Sequence, residues 1–425
     1  MKVNLIKMTL LTLIISMFVA CGGKKENANI KEENTATLGE ELKPEEGSEL
    51  LVWESSGADL EFMKSAAKEF QKKYPNVKFK FEEKANIDSI STLSKAGPSG
   101  TGADVFALPH NDLGKAVEAG LILENLVSAD KQKERLLESS VVASIYKDKT
   151  YGFPVAIETL ALYYNKDLFK NGAPKSFEEI IEFSKSFVNK SENKVGIIFM
   201  PSDFYAGYSF LLSEGGYVFK NGTDVNDIGL NNEGSINGLK NFAKLKPALP
   251  LNSDAINGNN LTGLFFQGKA ATMINGPWAL KATKDSGVNF GVSPMPTFNG
   301  KVTKTFSGVR LIGVSSYSKY PKAASLFAEF LTSDEMQLKR YEIVGSIPVS
   351  KNLAKNEIIL RDEYISSFLK QSINSEPMPA VTEMNFVWEP ASKALVSVWN
   401  LNVDEKEALD KAVEVIKAQI KTQAK

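Results

Sequence analysis

From Glu49 onward the chain alternates short apolar strands with amphipathic helices, and this alternation narrows the fold more than any other feature. Residues 50–53 read as a strand. Leu60, Met63, Ala66 or Ala67 and Phe70 then share one helical stripe, and residues 77–81 alternate as a strand again. Gly97-Pro98-Ser99-Gly100-Thr101-Gly102 is a turn run, and Val105-Phe106-Ala107-Leu108 after it is short and wholly apolar, as a buried strand is. Strand–helix–strand order of this kind predicts an α/β fold whose sheets are mostly parallel and flanked by helices. In such sheets ligands sit beyond the carboxyl ends of the strands. The last third is helical: residues 323–331, 335–344, 358–373 and 404–420 all space apolar side chains by three to four. Asn402 with Glu405 forms a candidate capping box for the final helix, whose stripe is Leu409, Val413, Ile416 and Ile420.

Residues 1–20 stand apart from this pattern. Lys2 and Lys7 supply a positive start, and residues 10–20 are apolar except for Thr12 and Ser16, too short for a comfortable membrane span but suited to a secretory signal. The segment ends Phe18-Val19-Ala20-Cys21-Gly22-Gly23, which resembles a bacterial lipobox and makes Cys21 the expected lipidation site. Phe18 departs from the usual leucine of that motif. Residues 22–48 carry many charges and almost no large apolar group, so they are expected to form a disordered tether with a reach on the order of 30 Å. The reading is an exported body, lipid-anchored to the cell membrane and facing the periplasm or cell exterior.

Composition excludes several function classes. Fifty Lys+Arg against 51 Asp+Glu give a net charge of -1 and no electrostatic reason to bind nucleic acid. The sole histidine, His110, and the sole cysteine, Cys21, cannot build a Cys/His zinc site or an intrachain disulfide. No metal or cofactor is implied. Gly263-Leu264-Phe265-Phe266-Gln267-Gly268-Lys269-Ala270 imitates a phosphate loop until Ala270 replaces the magnesium-binding hydroxyl. It reads instead as a helix end, a glycine cap and a new strand over 270–274. No G-x-S-x-G elbow occurs. A carboxylate pair such as Glu54 and Glu158 would serve a glycosidase, a choice that sequence cannot make without geometry.

Several aromatic residues lie in polar or glycine-flanked settings: Trp53, Tyr205, Tyr208, Trp278 after Asn275-Gly276-Pro277, and Trp388 in Asn385-Phe386-Val387-Trp388-Glu389-Pro390. A flat apolar face framed by hydrogen-bonding groups is what a sugar ring needs, whereas a single tryptophan also serves a core.

Tyr151-Gly152-Phe153-Pro154-Val155-Ala156-Ile157-Glu158, Leu162-Tyr163-Tyr164-Asn165-Lys166-Asp167-Leu168 and Glu214-Gly215-Gly216-Tyr217 look familiar. So do Gly268-Lys269-Ala270-Ala271-Thr272-Met273-Ile274-Asn275-Gly276-Pro277-Trp278 and Met295-Pro296-Thr297-Phe298. On these stretches the chain from Leu50 to the C-terminus resembles the maltose/maltodextrin-binding proteins, the extracytoplasmic solute receptors of ABC importers. The resemblance implies a two-lobed type II periplasmic-binding-protein fold with the ligand cleft between lobes. The N-lobe would take residues 49–156 and 307–357, and the C-lobe 157–306 and 358–425. Hinge motion is expected around Glu158, at Phe306-Ser307-Gly308 and at 359–364.

Carried over position by position, Glu158 matches a hinge carboxylate that accepts sugar hydroxyls and Asp203 stands for a glutamate. Tyr205 matches a sugar-contacting tyrosine, Tyr208 replaces a tryptophan, and Trp278 and Trp388 match aromatic platforms. The first-lobe wall departs from the family: Leu108-Pro109-His110-Asn111-Asp112 replaces Trp-Ala-His-Asp-Arg, and Gly57-Ala58 replaces an Asp-Lys pair. A bidentate arginine and a lysine are thereby missing from the hydroxyl clamp. Trp53, Glu54, Asn111, Asp112 and Arg310 are the candidates to complete it, with His110 a structural neighbour. The expected protein is a monomeric, non-enzymatic receptor that delivers maltodextrin to the membrane permease subunits of an ABC importer. The alternatives are a receptor for another oligosaccharide or a disaccharide, a carboxylate-dependent glycosidase, and an adhesive surface lipoprotein.

Overall fold

The computed structural model describes residues 42–125 and 127–423, so the signal segment, Cys21 and most of the tether lie outside the described residues. The compact body begins at Lys43, so residues 43–48, expected in the tether, belong to the body. The Glu45 carboxylate accepts hydrogen bonds from the Lys322 and Ala323 amides (2.8 and 2.9 Å), closing the open first turn of helix Pro321–Leu331.

Two main sheets organise the body. In the first, strand Glu49–Glu54 pairs in parallel with Lys78–Glu83 and Val105–Pro109. The long strand Thr305–Val314 enters this sheet antiparallel to Val105–Pro109 and to Phe153–Thr159, and parallel to Ser375–Pro377. Alternate side chains of the first strand bury on opposite faces. Leu50 and Val52 meet Phe62, Met63 and Phe327, while Trp53 meets Ile90, Leu93 and Phe106. Helices cover both faces, as the strand–helix order requires.

The second sheet runs in the order Phe290–Ser293, Ala161–Asn165, Ala270–Asn275, Val195–Ile198. Only its last pairing is parallel. Here the expectation of mostly parallel strands fails for a topological reason: Ala161–Asn165 follows directly from Phe153–Thr159 and enters the sheet against the direction of its neighbours. Helices Phe177–Phe187, Phe204–Ser213, Glu233–Ala243 and Trp388–Leu401 pack around it in one large core.

The chain passes between the two cores at identifiable points. Phe153 and Val155 belong to the first core and Leu160 and Ala161 to the second. Phe306 belongs to the second core, whereas Ile312 and Val314 on the same strand belong to the first. Val344 packs in the first core and Ile347, Leu353 and Ile359 in the second, so this passage lies at 344–347 and not at the expected 359–364, which is already inside the second core.

Most helices fall where the apolar spacing put them, with two local differences. The single helix expected over 358–373 is two, Glu357–Arg361 and Glu363–Ser372, because the Asp362 side chain accepts from the Tyr364 and Ile365 amides and restarts the helix. The final helix is capped by Asp404, which accepts from Lys406 and Glu407. Asn402, the expected cap, instead adopts φ 53° and ends the preceding helix. Gly268 caps helix Gly258–Phe266 at φ 69° before strand Ala270–Asn275, so the phosphate-loop imitation is a helix stop.

Candidate functional site

Polar residues gather where the parallel strands of the first sheet end. Glu54 is the last residue of its strand, and the turn His110–Asp112 follows directly on Val105–Pro109. His110 is spent on architecture: its Nδ1 accepts from the Val309 amide (3.1 Å) and its Nε2 donates to the Met378 carbonyl (3.2 Å). Burial pushes its pKa down to about 4, so it stays neutral. Asn111 is buried beside it, and burial raises the Asp112 carboxyl to about 6 against the pull of Lys115. This turn packs against the turn Thr382–Phe386, which leads into the helix that begins with Trp388.

Behind the strand ends lies a buried ionic network. Arg310 reaches Glu54 with Nη2 and Glu158 with Nη1 (3.2 Å), with Ser55 Oγ at 3.1 Å and Asp59 at 3.8 Å. Arg340 pairs with Asp59, stands 3.9 Å from Glu54 and lies over the Phe62 ring at 5.0 Å. Burial disfavours the Arg310 charge, but Asp59, Glu54 and Glu158 together outweigh it and hold the proton more tightly. Burial raises the Glu54 carboxyl pKa, opposed by Arg310. The arrangement corrects two expectations. Glu54 is wholly sealed and the Arg310 side chain is 4% exposed, so neither is placed to touch a sugar. Glu158, at 19%, is the carboxylate of this set that remains open.

The aromatic residues assemble around a residue that the sequence reading assigned only to a hinge. Phe306, at the start of the long strand, stacks with Tyr208 at 4.1 Å and with Tyr205 at 5.9 Å, and meets Trp388 at 6.3 Å and Phe204 at 6.4 Å. Tyr205 lies 6.5 Å from Trp278. Tyr205 and Trp388 are partly exposed, and Trp278 is 40% exposed. Gly276 permits the Trp278 pose, because a Cβ there would stand 2.2 Å from the indole ring. Asp203 accepts from the Tyr205 amide (2.9 Å) as the N-cap of Phe204–Ser213 and so orients Tyr205. Burial raises its pKa to about 6.

Two expected platforms are core residues instead. Trp53 is 1% exposed, since its strand is covered on both faces, and its indole donates to Glu82 at 2.8 Å. Tyr208 is 3% exposed beneath Phe306, where it supports the wall rather than forming it. Register unites the remaining candidates: Ser307 pairs with Thr159 and Gly308 with Glu158, which sets the Glu158 carboxylate two residues from Phe306 along one strand pair. Phe306 was read only as a hinge residue and Arg340 not at all, because an apolar residue in a strand and an arginine in a helix carry no distinguishing sequence signal.

A mixed-sheet body with aromatics and carboxylates at the passage between two cores has clear relatives. The model of a bacterial extracellular solute-binding protein matches residues 65–365. The galactooligosaccharide-binding protein of Bacillus subtilis is 36% identical over 97% of this chain and 96% of its own length. The maltooligosaccharide ABC transporter solute-binding lipoprotein of Streptococcus pneumoniae is 32% identical over 96% and 95%. Among solved structures, MalX from Streptococcus pneumoniae in complex with maltopentaose superposes with a TM-score of 0.80 at 29% identity, covering 87% of this chain and 100% of that one. A cyclo/maltodextrin-binding protein complexed with maltotetraose gives 0.74 at 35% identity, over 90% and 99%. The two sheets and their crossing strands are thus the two lobes of a type II periplasmic-binding-protein fold, and the chain belongs to the bacterial extracellular solute-binding proteins.

Proposed function

We propose that this protein captures a neutral oligosaccharide, a maltodextrin, between its lobes and delivers it to the permease subunits of an ABC importer. The observation that carries the reading is the wall of Tyr205, Trp278 and Trp388 around Phe306, with Glu158 beside it. Three partly exposed rings offer stacking faces to successive pyranoses, and Glu158, Asp203 and Asp112 offer acceptors to their hydroxyls, whereas Asn111, expected among them, is buried like Arg310. None of these three polar side chains is cationic, which favours an uncharged ligand. Relatives and neighbours bound to maltotetraose and maltopentaose support the α-linked gluco series. The 36% identity to a galactooligosaccharide-binding protein supports galactooligosaccharide as the second reading.

The protein leaves its ligand unchanged. Glu54, the partner that a glycosidase reading would give to Glu158, is sealed and shares Arg310 with it, so the two carboxylates cannot flank a glycosidic bond. Lobe closure turns on Glu158, on Phe306-Ser307-Gly308 and on 344–347. Lipid on Cys21 keeps the receptor at the membrane. A thermal-shift screen over maltotetraose, maltotriose, galactotriose, cellotetraose and a uronic-acid trisaccharide tests the ligand. The maltodextrins should stabilise by about 2.7 kcal/mol at a hundredfold excess over Kd. Stabilisation by galactotriose alone selects the second reading, and stabilisation by the acidic sugar alone contradicts both.

A further inference from the structure

We infer that Arg310 is a positioning residue for sugar capture: it meets no ligand, and it holds the Glu158 carboxylate in the attitude that accepts sugar hydroxyls. The inference rests on the functional reading above and names how that site is kept ready.

Arg310 pairs with Ala156 across the strands and Glu158 with Gly308, so Arg310 and Glu158 are diagonal neighbours on one face, within reach of long side chains. The guanidinium is anchored at its far side by Glu54, Ser55 and Asp59, and Arg340 holds Asp59 from the neighbouring helix Asp334–Val344. Its Nη1 is left to Glu158 at 3.2 Å. Gly308 on the opposite strand has no side chain to cover Glu158, and with the Met378 methyl packed over Gly308 the Glu158 side chain still keeps 19% exposure. The carboxylate is thus gripped from behind and open in front. A glutamate fixed before the ligand arrives loses less rotamer freedom on binding, an advantage of up to about tenfold in Kd.

The test is a double-mutant cycle, read as Kd for maltotetraose, or for galactotriose where the wild type prefers it. Arg310→Lys keeps the charge but cannot reach Glu54 and Glu158 together. It should weaken binding about tenfold in the wild-type background and by less than twofold in a Glu158→Gln background. Arg340→Met breaks the same buried network without touching Glu158. It should lower Tm and leave Kd within about twofold. If Arg310→Lys does not fold, Ser55→Ala removes one anchor of Arg310 and keeps every charge. A two- to threefold loss of affinity that vanishes with Glu158→Gln supports the assignment. Equal losses with and without Glu158, no loss at all, or a comparable loss from Arg340→Met overturns it. A wild type that binds neither sugar overturns the functional reading and the assignment with it.

Discussion

Asp203 shows at the residue scale how one side chain serves fold and site at opposing electrostatic cost. It caps Phe204–Ser213 and orients Tyr205, yet burial raises its pKa to about 6. The folded state then binds the Asp203 proton more tightly than the unfolded chain does. Its contribution to stability is full below the unfolded value of 3.8 and is lost as pH rises through about 6. At pH 7.5 the ionised group weighs against the fold by on the order of 2–3 kcal/mol. Asn accepts the same capping bond without charge, so Asp203→Asn should raise the apo Tm at pH 7.5, with a gain that fades towards pH 4. Thermal melts across pH 4–8 check this, and a gain that grows on acidification would contradict it. At this scale the sequence was a partial guide. Trp53, Tyr208, Tyr205 and Trp388 look alike in a linear reading. Only the covering of both faces of the first strand, and the seat of Tyr208 beneath Phe306, separate support from surface.

Elements were the most legible level, because apolar spacing is a local property that packing then reinforces. Strand Glu49–Glu54, helix Ala58–Lys73 and strand Ala270–Asn275 lie where periodicity put them, within a few residues at each end. The errors fell at helix ends, where one capping side chain decides. A periodic stripe continues through Asp362, but its carboxylate captures the Tyr364 and Ile365 amides, and its other oxygen accepts from Tyr341 Oη at 2.9 Å. Asp362→Ala should therefore cost about 1–2 kcal/mol of stability. Oligosaccharide affinity should stay unchanged, since Asp362 contributes to no part of the aromatic wall. Urea denaturation beside sugar titration measures both, and a stability change under 0.3 kcal/mol would show that the cap is idle.

For the molecule as a whole, the sequence announced α/β architecture but not the sense of every pairing. Direction in the second sheet depends on where the chain enters it, and that is set by the crossing strand Phe153–Thr159 rather than by any pattern within Ala161–Asn165. The buried network of Glu54, Asp59, Glu158, Arg310 and Arg340 was equally hidden, since its members come from five separate segments. Fold and network converge on one claim, that sugar is held where the crossing strands meet the aromatic wall. Hydrogen–deuterium exchange of the protein with and without saturating maltotetraose tests that claim most directly. The account predicts slowed exchange at 153–159, 204–213, 276–280, 305–310 and 382–390. Protection confined to the surface groove lined by Ile181, Lys190, Lys244 and Leu251, with those five segments unchanged, would contradict it.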